Sequence, residues 1–169
     1  MTVRVGCPAM LLALGSSMPS SPAIAATKVV EVSASVNKPL SFSRLQDLDL
    51  GTIALNPGTW SAATVAISRA GVFSCAAAKV VCAGATKPGM YNVQGTNKMV
   101  IRISAPDVTL VNQQSSSQTL TLVLDSPGSI TLTSSGVPGV DFGIGGSITF
   151  DSTAVAGLYA GTLNVTVDY

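Results

Sequence analysis

Residues 159–169 read Y-A-G-T-L-N-V-T-V-D-Y. Tyr159, Gly161, Leu163, Val165, Val167 and Tyr169 share one parity, and Ala160, Thr162, Asn164, Thr166 and Asp168 the other. Successive side chains of a strand point to opposite faces, so this alternation predicts one long strand with an apolar and a polar side. Chain ends fray unless they are tied down. An apolar stripe kept to Tyr169 therefore predicts a docked terminus, in the chain's own sheet or against a partner.

The same period recurs upstream. Val30, Val32, Ala34 and Val36 share one parity between Lys28 and Asn37, with Glu31, Ser33 and Ser35 on the other and Val29 as an exception there, and Asp47 to Leu55 reads D-L-D-L-G-T-I-A-L. Thr64–Ser68, the Met99/Ile101/Ile103 set and the Leu120/Leu122/Leu124 set add further strands, and Ile130 with Leu132 and Ile148 with Phe150 add two short ones. Turn chemistry separates these runs at Asn56-Pro57-Gly58, Lys87-Pro88-Gly89, Ser126-Pro127-Gly128, Val137-Pro138-Gly139 and Gly145-Gly146. Asn112 to Gln118 reads as a polar loop between strands. No segment carries a sustained helical period with caps. Roughly nine to eleven short strands with turns between them predict an all-β, immunoglobulin-like antiparallel sandwich.

The first residues read as an address. Arg4 precedes the apolar run Val5–Leu14, which is too short to span a bilayer, and Ala23-Ile24-Ala25 has the small-x-small pattern of a cleavage site. The expectation is a signal peptide over 1–25 and a single domain over 26–169. Cleavage would remove Arg4 and Cys7, leaving eight basic against eight acidic residues and two cysteines. A neutral chain with so few charges offers no electrostatic footprint for nucleic acid, and no later stretch is apolar enough for membrane insertion. The expected address is secreted: the periplasm or the cell surface. Export permits a disulfide. Cys75 and Cys82 enclose A-A-A-K-V-V, and closing so short a loop stabilises a fold by about 2–3 kcal/mol in the chain-entropy model. C-x6-C has neither redox-motif nor zinc-knuckle spacing, so the expectation is a staple.

Motifs for catalysis are missing. The chain has no histidine, which removes the usual serine triad and imidazole metal ligands. Asp47 and Asp49 are the closest acidic pair and fit a solvated strand better than a two-carboxylate hydrolase site. Gly143-Ile144-Gly145-Gly146 lacks the following helix of a phosphate loop. Trp60 reads as core or loop packing. The expectations are no catalytic residue, no metal site and no cofactor.

Two framing stretches carry a resemblance. Pro39–Ile53, P-L-S-F-S-R-L-Q-D-L-D-L-G-T-I, and Gly145–Tyr169, with its G-G-S-I-T-F and G-L-Y-A-G-T-L-N-V-T-V-D-Y, resemble the opening and closing motifs of the secreted bacterial domain of unknown function 4402 family. The Cys75–Cys82 loop is an elaboration on that pattern. The ending is also similar to those of chaperone–usher pilus subunits and spore-coat-U-like secreted proteins, with Gly157 twelve residues before the terminal aromatic Tyr169. It departs from the pilin pattern in that Tyr169 is the last residue rather than the penultimate one. In those families an incomplete immunoglobulin-like sandwich is filled by a partner's strand.

The resulting expectation is a secreted, non-enzymatic structural subunit that assembles by β-strand addition into pilus-like fibres or surface layers. Its partners would be further copies or a periplasmic chaperone. Gly157, Tyr159, Gly161, Leu163, Val165, Val167 and Tyr169 form the expected assembly face, and Val30, Val32, Ala34 and Val36 the candidate donor strand, unless that strand simply belongs to its own chain's sheet. The alternative is a monomeric extracellular module for carbohydrate or adhesin-type recognition, using Trp60, Tyr91 and the Asn112–Gln118 loop. An exported hydrolase built on Asp47 and Asp49 is the remaining reading.

Overall fold

The computed structural model describes residues 33–169. They form thirteen strands: β1 Ser41–Gln46, β2 Thr52–Leu55, β3 Ala63–Ile67, β4 Phe73–Cys75, β5 Val80–Ala83, β6 Gly89–Gln94, β7 Val100–Ser104, β8 Val108–Asn112, β9 Thr119–Asp125, β10 Ser129–Thr131, β11 Val140–Phe150, β12 Tyr159–Ala160 and β13 Thr166–Asp168. Every ladder between them is antiparallel. The all-β expectation holds, with more and shorter strands than the sequence suggested. The expected signal peptide, Val30 and Val32 lie outside the described residues.

The largest sheet has the order β1-β6-β11-β9-β8-β12, with β3 and β4 attached through β11. A three-stranded sheet, β10-β7-β13, and a ribbon of β2 and β5 complete the set. Strand β11 organises the large sheet. On one edge it pairs with β6 through Val140–Ile144 and with β3 through Gly146–Phe150; on the other it pairs with β9 through Gly145–Ile148.

Gly145-Gly146 therefore sits inside a strand, which corrects its reading as a turn. Glycine is needed there for close backbone approach rather than for reversal. A Cβ on Gly143 would run into the Arg69 carbonyl, and one on Gly145 into the Ile67 carbonyl, where the chain leaving β3 crosses over β11.

Two core clusters lie along this frame. The first joins Tyr91, Val93, Phe142 and Ile144 of the large sheet to Ile101 and Ile103 of β7 and to Leu132. The second joins Ala63, Val65, Val108, Leu122 and Ile148 of the large sheet to Val80 of β5. Ladder parity follows the sequence. In β7, Ile101 and Ile103 are buried while Val100, Arg102 and Ser104 are exposed; in β9, Leu122 is buried between exposed Thr121 and Val123. The outer face carries an in-register row of exposed threonines: Thr64 opposes Thr149, with their hydroxyls 2.9 Å apart, and Thr109 opposes Thr121.

The Cys75–Cys82 disulfide forms, as the spacing and the expected export suggested. It does not staple a hairpin of two paired strands. Cys75 lies on β4, which pairs with β3, and Cys82 on β5, which pairs with β2.

Candidate functional site

The tail after β11 is not one strand. Tyr159 and Ala160 pair with Asn112 and Val111 of β8, and Thr166–Asp168 pair with β7. Between them Gly161–Val165 belong to no ladder among the described residues. The expected continuous strand from Tyr159 to Tyr169 is corrected on this point. The tail changes sheets, and the residues that cross the gap cannot follow either partner.

Its alternation survives the crossing. Leu163, Val165 and Val167 are half-buried, whereas Thr162, Asn164, Thr166 and Asp168 are exposed. Leu163 packs against both core clusters, and Val165 and Val167 against the first. A Cβ on Gly161 would lie 2.8 Å from Val108 Cγ1.

Both ends of the tail are fastened. At the start, Asn112 is 1% exposed. Its Nδ2 donates to the Ala156 carbonyl at 3.2 Å, and its Oδ1 accepts from the Gln114 and Ser115 amides at 2.9 and 3.2 Å. Gly157 passes so close that a Cβ there would lie 2.7 Å from Asn112 Cγ. The Tyr159 hydroxyl donates to the Val155 carbonyl at 2.7 Å. At the other end, the Tyr169 hydroxyl donates to the Lys38 carbonyl at 2.6 Å and accepts from the Thr96 amide at 2.9 Å. Gly95 makes room for it, since a Cβ there would lie 2.6 Å from the phenol oxygen.

Beside the tail runs a groove of about 1390 Å³. Leu110, Leu120, Leu122, Ile148 and Phe150, from β8, β9 and β11, are among the apolar residues that line it, together with Val108. One bank is Asp47–Leu55, ending in β2; the other is the tail from Ala154 to Thr166. Both banks present unpaired backbone. Among the described residues β2 has a ladder only with β5, and Gly161–Val165 have none. An edge strand such as β2 turns the N–H and C=O of alternate residues away from its one partner, and an added strand would satisfy them. The volume exceeds the roughly 300–1,000 Å³ of small-molecule pockets, and an apolar floor lined on either side by β2 and the tail suits an extended peptide.

The banks run in opposite directions. Strand β2 leads toward Asn56, whose carbonyl accepts from Trp60 Nε1 at 3.2 Å, and that indole packs edge-on against Phe150 at the far end of β11. The tail comes the other way, from Asn112 down to Ser104. A single strand between them would lie antiparallel to one bank and parallel to the other.

The remaining sequence candidates fall as follows. Ser33–Leu40 are in no strand; Ala34 is exposed, and Val36 is 89% exposed. The alternation from Lys28 to Asn37 is thus not paired in the chain's own sheet over its described part. Asp47 pairs with Arg44 at 2.7 Å, while the Asp49 carboxylate caps the Gly51 amide at 2.8 Å. Each acid thus has a local structural partner. Trp60 packs in the second cluster and Tyr91 in the first, so the residues expected to form a recognition surface are not brought together.

The groove itself was not visible in the sequence. Its signal is the glycine at 161 and the change of partner along the tail, neither of which alters the alternation.

Residues 40–169 match the family described as "Domain of unknown function (DUF4402)". No curated protein and no solved structure matches the chain. The match covers every strand from β1 to β13, and the chain belongs to the DUF4402 family.

Proposed function

We propose that this protein is a secreted, non-enzymatic structural subunit that assembles by β-strand addition, and that the groove between β2 and the tail is its acceptor slot. One observation carries the reading: β2 and the tail, each with backbone that has no ladder partner among the described residues, line a single groove floored by leucine, isoleucine and phenylalanine. In this reading the chain is an immunoglobulin-like sandwich short of one strand.

The occupant is the segment 26–36 of a second copy. Its apolar positions, Val30, Val32, Ala34 and Val36, recur every second residue, so one side of an inserted strand would meet the floor while Glu31, Ser33 and Ser35, with Val29 as the exception, face away from it. Its described part is exposed and outside any ladder, which is what a donated arm requires before it is used. Main-chain hydrogen bonds to the two banks contribute about 0.5–1.5 kcal/mol each, and each buried valine about 1.5–3 kcal/mol. Partners are therefore further copies, with a periplasmic chaperone covering the slot beforehand. The address is the periplasm or cell surface after loss of residues 1–25. The likeness of the tail to those of pilus subunits and spore-coat-U-like proteins points the same way.

The test is gel filtration and electron microscopy of the 26–169 chain beside a chain lacking 26–36. The reading expects fibres or a ladder of oligomers from the first and monomers from the second. Two monomers of equal behaviour would defeat it.

A further inference from the structure

The disulfide occupies a position that the slot makes consequential. Strand β4 pairs with β3 of the large sheet, and among the described residues β5 pairs only with β2. Cys75–Cys82 is thus a covalent cross-link, added to the chain's own 76–79 connection, between the large sheet and the two-stranded ribbon, and Thr52–Leu55 of that ribbon line one bank of the slot. A two-stranded ribbon is marginally stable alone. Apart from the disulfide, the ribbon is held by the turn over 76–79 that joins it to β4, by buried Val80 and half-buried Ile53, by the Asp49–Lys87 backbone bridge, and by bonds from Trp60 Nε1 to the Asn56 carbonyl and from the Lys79 ammonium to the Ala62 carbonyl.

We propose that the Cys75–Cys82 disulfide is a redox gate on the acceptor slot: oxidised, it fixes the β2 bank over the floor; reduced, it lets that bank lift, and the slot loses its hold on a strand. The proposal rests on the strand-addition reading. The opening step needs a dithiol reductant. One of its thiolates attacks a sulfur of the pair, breaking the Cys75–Cys82 bond and forming a mixed disulfide. The second thiolate then displaces that cysteine. Two electrons pass to the pair, two protons complete the two thiols, and the reductant leaves as its own disulfide. Thiols stay reduced in the cytosol and are oxidised after export. The gate would therefore keep the slot incompetent until the chain has reached the compartment where assembly belongs.

The test uses the 26–169 chain before and after treatment with dithiothreitol, together with a Cys75→Ser/Cys82→Ser variant. Self-association is read by sedimentation velocity, and release of the ribbon by the rate of tryptic cleavage after Lys79. The gate predicts about a tenfold weaker association on reduction, faster cleavage after Lys79, and an unchanged far-ultraviolet circular dichroism spectrum. An association constant that does not move on reduction overturns the gate, whatever the cleavage rate. Global loss of the β spectrum on reduction also overturns it, because the bond would then hold the whole fold. Should the serine variant fail to fold, the reduced wild-type chain still decides. A chain that associates in neither state, yet is cut faster when reduced, would sink strand addition while leaving the release of the ribbon intact.

Discussion

Replacing Asn112 with alanine should loosen the bank of the slot formed by the tail, and the size of the effect follows from its contacts. The side chain is 1% exposed and makes three hydrogen bonds, one donated to the Ala156 carbonyl and two accepted from the Gln114 and Ser115 amides. Each is worth about 1 kcal/mol net. The Ser115 amide retains a bond to the Asn112 carbonyl at 3.3 Å, which softens one loss. A small cavity adds to the total, so Asn112→Ala should cost about 2–4 kcal/mol.

Asn112→Asp separates donor from acceptor at the same site. The carboxylate keeps both accepted bonds but confronts the Ala156 carbonyl with a charge. A protonated acid restores the donor. Burial raises the folded-state pKa of such an acid, so the variant should regain stability at low pH and lose it as pH rises through that value. Urea unfolding followed by Trp60 fluorescence reads both variants; with a slope of about 1–3 kcal/mol per molar urea, the alanine variant's midpoint should fall by about 1–2 M. A midpoint that barely moves, or an aspartate variant indifferent to pH, would refute the reasoning.

Four other outcomes are expected. Val165→Lys places an ammonium on the inward, half-buried side of the tail and should cost about 2–4 kcal/mol and prevent secretion or assembly; unchanged soluble yield would count against that placement. Gly145→Ala should abolish folding, because its methyl group would collide with the Ile67 carbonyl, and a cooperative thermal transition in that variant would contradict the crossing at β11. Tyr169→Phe should cost about 0.5–1.5 kcal/mol, the worth of its exposed hydrogen bonds to Lys38 and Thr96, with no change in spectrum. Burial raises the Tyr91 phenol above its ordinary value of 10.0, with Arg44 opposing and Asp47 assisting. Its contribution is fully present below pH 10 and is lost as pH climbs through the raised value, so Tyr91→Phe should flatten the alkaline limb of a stability–pH curve.

The sequence displayed the strands best where one face is core and the other is water. β7 and β9 alternate in residue type and burial alike, because period two is all that such a strand needs. It misled at Gly145-Gly146, where two glycines look like a turn and are instead the thin part of a strand that another chain segment crosses. β6 was hard to see, since Gly89–Gln94 sets Tyr91 and Val93 among residues of mixed type and opens on a turn-like Pro88-Gly89. The tail was legible in its parity but not in its pairing. Leu163 and Val165 face inward in a continuous strand and in a crossing segment alike, so alternation carries no record of which neighbour supplies the hydrogen bonds. The slot, created by that change of partner, was hidden for the same reason. The disulfide was foreseeable from spacing and expected export, but its bridging of two sheets depends on the separate partners of β4 and β5.

Backbone amide exchange on the assembled 26–169 chain, compared with the chain lacking 26–36, tests the acceptor slot most directly. The account predicts that protection rises together at Thr52–Leu55 and at Gly161–Val165, the two edges that one inserted strand would pair. Protection confined to β1, or no difference at either bank, would contradict it.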